Sequence, residues 1–388
     1  MKKTLLTICL TWMCFSLSAQ KIIDLSGKWS FSIDRQDNGE KEKWFSHTLN
    51  DCINLPGSMP EKLKGDEVTA KTQWTGSLYD SSYYYNPYME KYRKEGNIKF
   101  PFFLTPDKHY VGAAWYQKEV NIPADWKGER ILLFLERPHI ETTVWVNGQK
   151  TGMQNSLCVP HQYDITRYVR PGKCTITIRV DNRIKEINVG PDSHSITDQT
   201  QGNWNGIVGR ICLQTTPKTY FDDIQIYPEP EQKLARVKVV IKGAGITKIK
   251  LSAESFNTDK KHIVPAIQQE IKLNKGVTET EMVLPMGNDM LLWDEFHPAL
   301  YKLKAEVTNG KKTEIKEIQF GMRRFEIKGK WFYVNGRKTQ LRGTVENCDF
   351  PLTGYAPMDV ESWERVFRIC RSYGPVSYTH LRAHETSL

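Results

Sequence analysis

Apolar and polar residues alternate along most of the chain, and the alternation has the period of strands. Trp29, Phe31 and Ile33 are separated by single polar residues, and Trp115, Gln117 and Glu119 alternate against Tyr116, Lys118 and Val120. Ile176, Ile178 and Val180 repeat the pattern before Asp181-Asn182. Ile131 to Leu135 is apolar throughout, as a strand covered on both faces would be. Val144-Trp145-Val146 leads into Asn147-Gly148, a dipeptide that suits two-residue hairpins because both of its residues tolerate positive φ. Helical periodicity of useful length is absent between Leu25 and Thr215, so a two-sheet sandwich or jelly roll is the economical architecture.

Beyond Pro217 and Pro228-Glu229-Pro230 the alternation continues in shorter runs. Ile224-Ile226, Val237-Val239-Ile241, Ile249-Leu251, Met282-Leu284 and Leu303-Ala305-Val307 predict short strands with turns between them. Their spread over about a hundred residues suits an immunoglobulin-like sandwich. This module shows no convergent polar cluster, so a spacer role is expected. After Phe320 the pattern changes. Phe325, Ile327, Phe332 and Val334 have strand spacing and precede a second hairpin signal, Asn335-Gly336. A short strand over Thr339–Val345, a polar loop over Glu346–Met358 and then a helix follow. Asp359 is its N-cap, Glu361 and Glu364 suit its first turn, and Val360, Trp363, Val366, Phe367 and Cys370 recur at helical spacing. Strand, loop and amphipathic helix make the first βα unit of a parallel α/β fold.

Residues 1–19 stand apart from this pattern. Lys2 and Lys3 precede an apolar stretch from Leu5 to Phe15, and Ser16, Ser18 and Ala19 close it, the layout of a secretory signal cleaved after Ala19. The stretch is too short to span a bilayer, so the expectation is an exported protein, periplasmic or extracellular, with no membrane span. A hydrophobic content of 39% and a charged content of 26% exclude compositional disorder. The net charge of +9 is spread thinly, without the basic block of a nucleic-acid binder, so no nucleic-acid partner is expected. Cys9 and Cys14 belong to the signal. Cys52, Cys158, Cys174, Cys212, Cys348 and Cys370 form no Cys-x-x-Cys or His-spaced set, which argues for single buried thiols over a zinc site. Export permits a disulfide, but spacing does not choose its partners. No cofactor is expected.

Several of these landmarks recur in a known order. Trp293-Asp294, Pro298, Leu300-Tyr301, Phe320-Gly321-Met322-Arg323, Asn335-Gly336 and Leu341-Arg342-Gly343 together resemble the junction of family 2 glycoside hydrolases. That group holds β-galactosidases and β-glucuronidases, and in it an immunoglobulin-like domain joins a (β/α)8 barrel. Upstream, Leu55-Pro56-Gly57-Ser58, Ala114-Trp115-Tyr116, Val144-Trp145-Val146-Asn147-Gly148 and Trp204-Asn205-Gly206-Ile207-Val208-Gly209-Arg210 look like landmarks of the family's N-terminal sugar-binding domain. The resemblance implies a mainly β chain: a jelly-roll sugar-binding sandwich over 20–217, an immunoglobulin-like sandwich over 218–321, and over 322–375 the first βα unit of a truncated (β/α)8 barrel. It also implies a retaining β-glycosidase with an oligo- or polysaccharide substrate.

Candidate binding residues lie in two stretches of the first module and at the start of the third. The insertion from Met59 to Tyr110 is dense in aromatic residues: Tyr79, Tyr83, Tyr84, Tyr85, Tyr88, Tyr92, Phe100, Phe102 and Phe103. Such rings either stack on the C–H faces of pyranosides or pin a long loop to the sandwich, and the pinning role is the favoured one. The stretch from His194 to Trp204 holds Asp198, Asn203 and Trp204. The resemblance puts Asp198 where family members present an acid to the substrate, and a carboxylate there could accept hydrogen bonds from two sugar hydroxyls. A turn residue bonding its own backbone is the equal alternative. Thr200 stands where the best-known β-galactosidases carry a second acid, so their substrate preference does not transfer. Arg342 and Glu346 are candidates for shaping a subsite.

Retaining glycoside hydrolysis needs two carboxyl groups about 5 Å apart, and a (β/α)8 barrel typically takes ~250 residues. The resemblance places the two glutamates on the fourth and seventh barrel strands, so no residue here inherits a catalytic role. Val376–Thr386 matches, residue for residue, the translation of a transposon-end adapter used in preparing sequencing libraries. Residues 376–388 are therefore expected to be foreign, and His380, His384 and Glu385 are not assigned to a metal site. The expectation is the N-terminal accessory portion of an exported β-glycosidase, inactive alone. The alternative is a standalone, non-catalytic carbohydrate-binding β-sandwich protein, for which the terminal strand and helix would have no use.

Overall fold

The computed structural model describes residues 21–72, 85–99, 105–157, 159–185, 202–346, 350–374 and 377–380. They fall into two compact units, one made of 21–215 with 339–380 and the other of 216–338. Residues 1–19, for which a secretory signal is expected, and Tyr79, Tyr83, Tyr84, Phe100, Phe102, Phe103, Cys158, Cys348, His384 and Glu385 lie outside the described residues.

The first unit begins with β1 (Ile22–Asp24), β2 (Gly27–Asp34), β3 (Asp51–Leu55), β4 (Gly57–Ser58), β5 (Asp66–Glu67) and β6 (Lys108–His109). It continues with β7 (Ala113–Ile122), β8 (Arg130–Pro138), β9 (Glu141–Val146), β10 (Gln149–Asn155), β11 (His161–Asp164), β12 (Gly172–Asp181) and β13 (Gly206–Thr216). One sheet has the order β1-β13-β8-β11, with β4 added to β13, and the other runs β10-β9-β12-β7-β2-β3. The alternating apolar residues of the two sheets meet in one core. Trp29, Phe31, Tyr116, Ile176 and Ile178 come from one sheet, and Leu133, Leu135, Ile207, Ile211 and Leu213 from the other. Asn147 and Gly148 take φ of 50° and 76° and join β9 to β10, as the dipeptide predicts.

The outer face of the six-stranded sheet departs from simple alternation. All six residues of β9 are buried, and Trp115 and Trp145 are covered. Their cover is the connection between β2 and β3. Phe45 stacks on Trp145 with ring centroids 5.2 Å apart, Trp44 tilts against Trp115, and Leu49 completes the cluster. Trp115 Nε1 donates to Asp34 Oδ2 at 2.9 Å, so the indole's polar edge is satisfied under that cover. Beside the rings Arg179 bonds Asp37, Asp181 and Glu141, while Arg183 and Lys185 both reach the fully buried Asp181.

The second unit holds β14 (Tyr220–Glu229), β15 (Leu234–Ser255), β16 (Ile263–Pro285), β17 (Tyr301–Asn309) and β18 (Lys312–Phe320). Here the predicted short strands are corrected. Val237–Ile241 and Ile249–Leu251 belong to one 22-residue strand, and Met282-Leu284 ends a 23-residue partner. The pair bulges between Gly243 and Gly245, and beyond that point β15 changes neighbour from β14 to β17. The ends of the order β14-β15-β17-β18 meet again, since Phe221 N donates to Glu314 Oε2 and Lys316 Nζ to Phe221 O. The sheet thus curls over a core that includes Val237, Val239, Leu251, Leu303 and Ala305. Periodicity shows apolar runs but not whether a bulge or a turn separates them.

A three-stranded sheet follows: β19 (Phe325–Lys328), β20 (Trp331–Val334) and β21 (Arg337–Thr339). Asn335 and Gly336, at φ of 49° and 76°, make its second turn. The strand expected over Thr339–Val345 divides, one part closing this hairpin as β21 and the other forming β22 (Gly343–Glu346). The predicted helix forms as α1 (Val360–Ser372), with Asp359 Oδ1 accepting from Ser362 N at 2.7 Å. No residue of α1 is buried, and Val360, Phe367 and Ile369 are exposed. Instead of a lone strand and helix, a further strand, β23 (Ser377–His380), pairs in parallel with β22. An unpaired strand edge offers backbone donors and acceptors to any extended segment, whatever its side chains.

Candidate functional site

Three asparagines act as one unit at the end of the sandwich where β13 begins. Asn205 accepts from Tyr116 OH at 2.7 Å and donates to Gly112 O and Val180 O. Gly112 N donates to Asn182 Oδ1, whose amide donates to Tyr110 O. Asn203 Nδ2 donates to Asn182 O at 2.8 Å. Asn182 and Asn205 are fully buried, so these bonds replace the water that both amides lose on folding.

Asn203 and Trp204 therefore sit in the wall of the sandwich end rather than on its surface. Trp204 is 1% exposed, with its ring stacked on His139 at 4.5 Å and tilted against Tyr355 at 5.5 Å. Asn203 Oδ1 and Trp204 Nε1 are buried without hydrogen-bond partners. Asp198, the third candidate of this stretch, lies outside the described residues.

What the fold brings to Trp204 is the loop after β22. Ser58 Oγ donates to Thr353 O at 2.6 Å, and Tyr355 OH donates to Glu61 Oε2 at 2.9 Å. The Ser58 hydroxyl also accepts from Glu61 N at 3.2 Å, which ties the two anchoring side chains together. Gly354 lies between them at φ +83°, and a Cβ there would stand 3.4 Å from Trp204 Cδ1. The left-handed backbone and the close indole both favour glycine. Burial, followed by the bond to Glu61 and that carboxylate's charge, raises the Tyr355 hydroxyl well above its ordinary pKa, so it remains a donor. The arrangement can hold the loop that follows a parallel strand against the sandwich.

The remaining candidates lie at the two ends of β22. Arg342 Nε donates to Gly374 O at 3.1 Å, joining the start of the strand to the segment after α1. Glu346 is the last residue of β22. Sequence does not pair Glu61 with Tyr355, because the hydroxyl and its acceptor are 294 residues apart. Leu55-Pro56-Gly57-Ser58 is a visible landmark, although nothing in its pattern indicates a partner for Ser58. Among the described residues, Cys52, Cys174, Cys212 and Cys370 carry free thiols, and burial pushes the Cys174 thiol up to about 11.

Comparison with known proteins gives this arrangement a family. Residues 22–217 match the model for the sugar binding domain of glycosyl hydrolases family 2, and 219–323 match a second model of glycosyl hydrolases family 2. A β-glucuronidase of Paenibacillus borealis is 23% identical over 355 residues, covering 86% of this chain and 51% of the relative. Human β-glucuronidase is 23% identical over 369 residues, covering 85% and 49%. A β-galactosidase of Thermoanaerobacter pseudethanolicus is 25% identical over 281 residues, covering 68% and 35%. The chain thus spans about half the length, or less, of these curated relatives. Among solved structures, the β-glucuronidase of Ruminococcus gnavus superposes with a TM-score of 0.65 at 18% identity, over 93% of this chain and 55% of that one. With more than half of its residues matched by the sugar-binding model and the next hundred by the second, the chain belongs to glycosyl hydrolase family 2.

Proposed function

We propose that this chain is the N-terminal accessory portion of an exported retaining β-glycosidase that removes a terminal β-linked sugar such as galactose or glucuronic acid. The observation that carries this reading is the succession of two family matches followed by a strand and an amphipathic helix, β22 and α1. A strand followed by a helix is the repeating unit of a (β/α)8 barrel. Retention requires two carboxyl groups about 5 Å apart, and the family resemblance places both on later strands than these. The chain's own part is to bind and orient. Asp198 would accept hydrogen bonds from sugar hydroxyls, Asn203 and Trp204 would back that contact, and Arg342 and Glu346 would border the first barrel strand. Among the described residues no helix is long and apolar enough to cross a membrane, and export through the signal at 1–19 is part of the proposal.

Assays on chromogenic β-glucuronides and β-galactosides test it. The chain as it stands should give no turnover, and a version carrying about 250 further barrel residues should hydrolyse one of them. In the longer version Asp198→Ala should raise KM. Turnover by the short chain that survives a mutation control, or inactivity of the long one on every β-glycoside, overturns the proposal.

A further inference from the structure

On one side the sheet of the second unit ends in a long strand edge. Among the described residues β16 pairs with β15 alone, while β14 and β18 meet around the core. Such an edge offers a row of backbone donors and acceptors to another strand. Register shifts against β15, one between Leu251 and Ala253 and one between Gly243 and Gly245, confine the regular part of β16 to residues 267–273, and Pro265 lies just outside it.

Which residues face that edge follows from the neighbouring hairpin. Gly310 and Lys311 make a two-residue loop, so Asn309 and Lys312, which it joins, exchange both of their backbone bonds. Alternate residues of an antiparallel strand turn their N–H and C=O to opposite sides, so Thr308 turns to β15 and bonds its partner Lys248. Thr247 and Ile249 of β15 then bond Ile271 and Gln269 of β16. The Asn309 side-chain amide agrees, since it reaches the carbonyls of Ala244 and Ile246 on the β17 side of β15. The backbones of Glu270 and Lys272 are left pointing outward, and both residues are exposed.

Their charges are unused as well. Further along the strand Glu279 and Glu281 are engaged by Lys238 and Arg236 of β15 at 2.7 and 3.3 Å, whereas among the described residues Glu270 and Lys272 have no ion-pair partner. Between them Ile271 is half-buried at the rim of the core. The triplet is its own complement. Turned about a twofold axis through Ile271, Glu270 of one copy falls opposite Lys272 of the other on both sides of the axis, and the two Ile271 side chains meet at the close spacing of a non-hydrogen-bonded pair. An axis through Glu270 would set two carboxylates against each other.

We propose that β16 is a homodimer edge, in which residues 269–273 pair antiparallel with the same residues of a second copy about a twofold axis at Ile271. Backbone bonds of Glu270 and Lys272 and two reciprocal ion pairs join the sheets. Nothing in this depends on the glycosidase reading.

Sedimentation equilibrium of the full chain tests it and should show a monomer–dimer equilibrium that weakens as salt rises. Glu270→Lys and Lys272→Glu each place like charges opposite one another and should raise the dimer Kd roughly tenfold or more, while the two together should restore it to about the parent's value. Both positions are exposed, so the thermal melt should not move. Hydrogen exchange reads the register: the amides of Glu270 and Lys272 should slow as protein concentration rises, and those of Gln269 and Ile271, already bonded to β15, should not change. A chain that stays monomeric at every concentration, a dimer indifferent to the single reversals, or a double reversal that fails to restore association would each overturn the proposal.

Discussion

His161 is wholly buried, and burial lowers its pKa to about 4 from the ordinary 6.5. Its Nδ1 lies 2.6 Å from Thr142 Oγ1, which in turn lies 2.7 Å from Tyr163 OH. The folded state therefore holds the neutral ring, while the unfolded chain takes up a proton below pH 6.5. Stability is complete above that pH, falls as pH drops from 6.5 to 4, and loses about 3 kcal/mol over the window. Urea titrations at pH 7 and pH 4.5 should show this loss, and His161→Gln should reduce it. Asp181 titrates in a lower window. Burial pushes its carboxyl up, but hydrogen bonds from Arg183 and Lys185 and the charge of Arg179 more than reverse this and hold it well below 3.8. Its contribution is present above pH 3.8 and is lost in stronger acid. Arg179→Ala removes charged hydrogen bonds to Asp37, Asp181 and Glu141 but leaves Asp181 held by Arg183 and Lys185, so it should cost about 1.5–3 kcal/mol, whereas breaking the exposed Arg210–Glu136 pair should cost under ~1 kcal/mol. Denaturant midpoints of the two variants compare these outcomes. Neither His161 nor Arg179 announces itself in sequence, because an isolated histidine or arginine in a strand pattern reads the same whether water or protein surrounds it.

At the scale of elements, the loop 350–358 is held from the sandwich by Ser58 and Glu61 and from α1 by Trp363, whose Nε1 donates to Pro357 O at 2.8 Å and whose ring meets that of Phe350 edge-on. Tyr355→Phe removes one hydrogen bond to the loop, and Ser58→Ala removes one to the loop besides the one its hydroxyl accepts from Glu61 N; each bond lost to the loop is worth about 1 kcal/mol net, so local opening should become at least about fivefold more frequent. Hydrogen exchange at Thr353 and Gly354 should speed up by that factor while the sandwich strands keep their protection. Unchanged exchange in both variants would mean that the clasp does not restrain the loop. The helix itself is legible in sequence, since its cap, first turn and apolar spacing are local features. So are the turns at Asn147-Gly148 and Asn335-Gly336, which depend on two residues each. The length of β15 is not legible. A register shift at Gly243 lets the strand run on where a pattern of short apolar runs suggests a break.

For the molecule as a whole, two compact units with separate cores should not melt as one. Calorimetry should resolve two transitions. Arg179→Ala should lower only that of the unit containing 21–215, and Val239→Ala, which opens a gap in the other core, should lower only its partner by about 2–4 kcal/mol. A single transition moved equally by both variants would show that the units unfold together.

The order of amino acids alone determined the strand period, the two Asn-Gly turns, the capped helix and the family to which the landmarks point. Each of these is written within a few neighbouring residues or in their succession. Only the tertiary structure decided that Phe45 covers Trp145, that Arg179 and Arg183 both reach Asp37, and that Tyr355 finds Glu61. These contacts join segments distant in the chain, and register and loop path choose the partners, which periodicity along one strand does not encode.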